Sequence, residues 1–127
     1  LQGMANAYEK FSTKVEATSD CNEIVAAIDS LVESLLIMES PIMIVDACPK
    51  SKEYLSKEEH KKVYAKNLER YNTEFQRFDK NMREIVQISD CQPLGKAVKK
   101  LKLTLHYVAT HDKKYRQAIF DMYDDKN

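Results

Sequence analysis

Two apolar stripes run through the second half of the chain: Tyr64, Leu68, Tyr71, Phe75, Phe78, Met82 and Ile85, then Leu94, Val98, Leu101, Leu105 and Val108. Steps alternating between three and four residues put each set on one face of a long helix, which must bury that face against neighbours. The first half has the same period. Met4, Tyr8, Phe11 and Val15 mark the buried side of a helix 1 that runs from the start to about Thr18. Asp20, with Glu23 three residues on, reads as a capping box opening a helix 2 whose inward face is Ile24, Ile28, Leu31, Leu35 and Met38.

Breakers set the remaining boundaries. Ser40 and Pro41 stop or kink helix 2, because proline cannot donate to the helical ladder and pushes the preceding residue out of helical geometry. Pro41 to Leu55, with Pro49 inside it, forms the long connection, and its Ile42, Met43, Ile44 and Val45 are expected to pack a short turn over the end of the core. Ser56 and Glu59 make a second capping box, starting helix 3 near Lys57 and carrying it to about Ile88. Ser89 to Pro93 is a tight turn, and helix 4 continues from Pro93 or Leu94 to about Tyr123, with the last residues frayed. Short, long and short connections predict an all-α chain, a single up-down-up-down four-helix bundle over residues 1–127.

Composition agrees with helices. Two glycines and three prolines in 127 residues disfavour a sheet with many tight turns. The longest near-apolar run, Leu35 to Val45, is interrupted by Glu39, Ser40 and Pro41, so the chain is not expected to span a membrane. It begins at Leu1 rather than at methionine, which suggests a removed upstream segment. A cleaved secretory signal is one explanation, and a periplasmic or cell-surface location the corresponding expectation.

Formal charge sums to zero but is divided. Residues 1–48 carry two basic side chains, Lys10 and Lys14, against eight acidic ones, and the remainder has eighteen basic against twelve acidic. Pairing between an acidic and a basic half within one molecule is the simplest account, and a nucleic-acid partner is not expected. The basic run Lys96, Lys99, Lys100 and Lys102 reads as a solvated face that pairs with helices 1 and 2.

The up-down topology places the turn after helix 1 and the turn before helix 4 at one end, so it permits a disulfide between Cys21 and Cys91 and leaves Cys48 apart; three ordinary thiols are the alternative. No two cysteines share a zinc-ligand spacing. Di-iron bundles need a glutamate three residues before a histidine, and here Lys57, Leu103 and Val108 occupy those positions before His60, His106 and His111. His60 and His106 read as surface residues. His111 continues the stripe through Val108 toward Tyr115. Met4 precedes Asp20 by 16 residues, ~24 Å of helix, and His111 follows Pro93 by 18, ~27 Å, so the two should lie at a similar level. A methionine facing a histidine there could ligate a haem iron.

With those features the chain resembles the cytochrome b562 and cytochrome c′ type of four-helix bundle. The likeness covers about residues 4 to 116: the early methionine, the short turn before Ile24-Val25-Ala26-Ala27-Ile28, the proline-containing second connection, and His111-Asp112-Lys113-Lys114-Tyr115-Arg116. The resemblance implies axial haem ligation by Met4 and His111. The Cys-x-x-Cys-His attachment motif is absent, so covalent haem is not implied. A haem-less relative is the expectation: a non-enzymatic, exported binding or interaction protein with an unknown protein partner and no cofactor. The alternative is a haem b electron-transfer protein. An enzyme has no supporting constellation, since no serine or cysteine has an identifiable base and no carboxylate pair stands out.

Overall fold

The computed structural model describes residues 2–47 and 58–124. The chain is all-α, and five helices are described rather than the expected four: α1 (Gln2–Glu16), α2 (Cys21–Ala47), α3 (Glu58–Ile85), α4 (Gln92–Thr110) and α5 (Lys113–Asp124). The expected capping by Ser56, the thiol of Cys48 and the connection around Pro49 lie outside the described residues.

Helix α2 opens much as its sequence dictates. The Asp20 carboxylate accepts the backbone N–H of Asn22 at 2.8 Å and of Glu23 at 3.4 Å, satisfying donors that the first helical turn leaves over. The return half of the box differs. Asp20 N–H donates to Thr18 Oγ1 at 3.1 Å, and that hydroxyl in turn donates to Glu23, so Thr18 stands between the two predicted partners. Helix α2 also runs through Ser40 and Pro41 to Ala47, so the proline does not stop it and residues 42–45 continue the helix instead of forming the expected short turn.

The second departure is at the C-terminus. His111 takes a left-handed conformation, φ 55° and ψ 23°, and its N–H donates to the Tyr107 carbonyl at 2.7 Å, closing α4. Asp112 then caps α5 by accepting the Lys114 N–H at 3.0 Å. Short polar side chains compete with the helical ladder in this way: Thr110 Oγ1 donates to the His106 carbonyl at 2.7 Å and accepts the Asp112 N–H at 3.3 Å. The continuous helix 4 is thereby split, and α5 packs back on α4, burying Ile119 and Met122.

Helix α1 packs against α2 and α3, and α2 against α4; among the described residues α3 and α4 make no close backbone approach although a short turn joins them. Cross-helix ion pairs give the directions. Glu9 meets Arg70 and, seven residues on in both helices, Glu16 meets Arg77 at 2.7 Å, so α1 and α3 run side by side in the same sense. Cys21 is bonded to Cys91, and Asp29 lies 3.1 Å from Lys100, so α2 and α4 do likewise. All three of these ion pairs join the acidic half to the basic half. Arg77 and then Asn81, by hydrogen bonds to its carboxylate, hold Glu16 down at about 2.

The core joins the α1, α2 and α4 stripes to the second half of the α3 stripe, with Tyr8, Ile28, Leu35 and Leu101 essentially inaccessible. Tyr8 sits at its aromatic centre, edge-on to Phe75 at 5.4 Å and 4.9 Å from the Phe78 ring, and burial pushes its phenol well above the usual tyrosine range. The start of the α3 stripe departs from expectation, since Tyr64 and Leu68 are exposed together with Val63.

Candidate binding groove

The outer seam between α1 and α2 is a groove of about 750 Å³. Its depth follows from side-chain size. Helix α2 presents Ala26, Ser30 and Ser34, each one turn from the next, while α1 contributes Asn6, Ala7 and Thr13. Small residues in register leave space above the seam, and the buried Phe11 and Leu31 form an apolar floor. Ile37 stands seven residues past Ser30, on the same face of α2, and is the most exposed large apolar side chain described, at 78%.

Lys10 and Lys14, the two basic residues of the first 48, both line this groove one turn apart. Neither makes an ion pair among the described residues, whereas Glu9 of the same lining is taken up by Arg70 on the far side of α1. The groove is therefore apolar below, rich in hydroxyls along its α2 wall and cationic along α1. Volumes of 300–1,000 Å³ with an apolar floor and a few polar groups are typical of binding clefts.

The residues singled out from sequence fall elsewhere. Cys21 and Cys91 are disulfide-bonded with Cα atoms 5.8 Å apart, joining the start of α2 to the residue that precedes α4. Met4 is buried in the core cluster beside Tyr8. His111 belongs to no part of that cluster: it forms the α4–α5 turn, half-buried, with its ring edge-on to Tyr107 at 6.3 Å and its Nδ1 buried without a hydrogen-bond partner. The count that placed His111 on a helical stripe facing Met4 assumed an unbroken helix 4, and the turn at His111 removes that premise. Tyr8, one helical turn from Met4, packs ring on ring with Tyr71, Phe75 and Phe78 in the interior that a porphyrin ligated by Met4 would have to enter. These residues do not fit a haem site. Haemin added to the protein is expected to give no sharp Soret band that His111→Ala removes, as read by absorbance titration; such a band would reinstate the Met4–His111 pair. No group of three or more metal-ligating side chains occurs among the described residues.

Lys100 also departs from expectation. It is buried at 2% exposure instead of solvated, with Asp29 on one side and the Tyr123 ring 4.4 Å from its ammonium. The return of α5 over α4 covers it, and the cation–π contact holds the end of α5 down. His106 is exposed and stacks on Tyr115 at 5.3 Å across the same turn.

No helix among the described residues is long and apolar enough to cross a membrane. No protein-family model, curated protein or solved structure matches the chain.

Proposed function

We propose that this chain is a non-enzymatic interaction module, exported to an oxidising compartment, that engages a protein partner through the α1–α2 groove. The scaffold in this reading is an up-down-up-down bundle of α1 to α4 with α5 appended, related to the cytochrome b562 type but without its haem. The observation that carries it is the pair of unpaired lysines over an apolar cleft, in a half of the chain whose charges turned toward α3 and α4 are matched internally. The Cys21–Cys91 bond supports the compartment, since such bonds persist in secreted and periplasmic proteins and are rare in the cytosol.

A photoreactive side chain placed at Ser34, inside the groove, tests this, with the exposed Lys99 of α4 as the control position. In the producing cell Ser34 is expected to give a discrete protein adduct and Lys99 none, and Ala26→Arg, which fills the groove, is expected to abolish it. Equal labelling from both positions, or an adduct indifferent to Ala26→Arg, would overturn the assignment.

A further inference from the structure

The groove's charges identify its partner more closely. We infer, on the premise that the α1–α2 face is an interaction surface, that its occupant is a second copy of this chain, in a dimer with α1 of each copy on α2 of the other.

Cross-helix charges on the α1–α2 hairpin divide by direction. Those turned toward α3 and α4 are matched within the molecule: Glu9 and Glu16 by arginines of α3, Asp29 by Lys100. On the outward face, Lys10, Lys14 and Glu33 are exposed and make no ion pair among the described residues. Glu23, also outward and exposed, accepts the Thr18 hydroxyl and makes no ion pair among the described residues. The cations thus lie on α1 and the carboxylates on α2, which is the condition for a surface to complement itself.

Level decides the symmetry axis. A Cβ on Gly3 would stand 2.9 Å from Met38 Sδ, so residue 3 is level with residue 38, and the antiparallel count brings Lys10 level with about Leu31 and Lys14 with about Ala27. A two-fold axis along the groove keeps every residue at its own level while exchanging the helices. Lys10 of one copy then arrives about level with Leu31 of the other, beside Ser30 and with Glu33 two residues away, and Lys14 arrives about level with Ala27, beside Ala26 and with Glu23 about one turn away on the other side. The small residues that open the groove let the helices approach closely, and Ile37 gains cover at the far end. A two-fold axis across the helices would instead set lysines against lysines. The geometry also meets the rule that a two-fold interface uses the same patch on both partners.

Sedimentation of the full-length oxidised protein at high micromolar concentration tests this. The expected species has twice the 14.7 kDa mass of the chain and dissociates as salt is raised. Lys10→Glu with Lys14→Glu is expected to raise the dissociation constant about tenfold or more, because two symmetry-related sets of contacts become repulsive at once. Glu23→Lys with Glu33→Lys should do the same, and mixing the two variants should restore a heterodimer. Circular dichroism matching wild type separates loss of association from loss of fold. A wild-type monomer, a dimer indifferent to both variants, or a mixture that stays monomeric would each overturn the second-copy inference. A monomer whose Ser34 still cross-links to a different protein would do so while upholding the interaction-surface reading. Loss of both would overturn both.

Discussion

Phe78→Ala is expected to lower the unfolding free energy by about 3–5 kcal/mol, the usual cost of truncating a well-buried phenylalanine. Phe78 is 3% exposed and its ring contacts those of Tyr8, Phe11 and Phe75, so deletion opens a cavity between α3 and α1 that rigid neighbours cannot collapse into. Phe75→Ala should cost visibly less, because Phe75 is only partly buried at the rim of the same cluster. The exposed Leu68 belongs to the same sequence stripe, and Leu68→Ala is expected to cost under ~1 kcal/mol. Urea titrations of the three variants give the ranking, and similar losses at Phe78 and Leu68 would mean that α3 is buried along its whole stripe.

Removing the Cys21–Cys91 bond is expected to cost about 4 kcal/mol by the chain-entropy estimate for a closed loop of this length. Its ends are 70 residues apart in sequence, so the bond restrains the unfolded chain over more than half its length. Cys91→Ser should move the urea midpoint down without abolishing the helical signal of the folded state, and dithiothreitol should do the same to the wild type. The oxidised protein should show one free thiol when denatured, since the chain has three cysteines and two are bonded to each other. Coincident midpoints for oxidised and reduced protein would mean that the bond adds nothing to stability.

Most helices were legible because periodic burial leaves a periodic sequence, and Asp20 announced the start of α2 through the cap it forms. The break at His111 was not, because Val108, His111 and Tyr115 keep a helical spacing across it. The signal lay in Thr110 and Asp112, a hydroxyl and a carboxylate two residues apart, each able to take a backbone N–H from the ladder. Missing that break also hid the burial of Lys100, for only a returning α5 can place Tyr123 over it. Pro41 departs in the opposite direction: proline cannot donate to the helical ladder, yet the helix continues through it to Ala47. The groove left a faint trace in Ala26, Ser30 and Ser34 at four-residue spacing, opposite the two lysines of an acidic half. That trace acquires meaning only once α1 and α2 are seen to pack side by side.

The shared direction of α1 with α3, and of α2 with α4, bears on how the chain finds its fold. The pairs that bring the two halves together are remote in sequence, 61 residues for Glu9 with Arg70 and 71 for Asp29 with Lys100. A reduced chain must therefore search for contacts of high contact order, a slow route for so helical a molecule. Once Cys21 and Cys91 are joined, Asp29 lies eight residues from the crosslink and Lys100 nine, so the same encounter closes a small ring. Each further contact along α2 and α4 then adds one short step to the last. Oxidation before folding turns a long-range search into a zipper, and the order in which the chain meets its oxidant sets the speed at which it assembles.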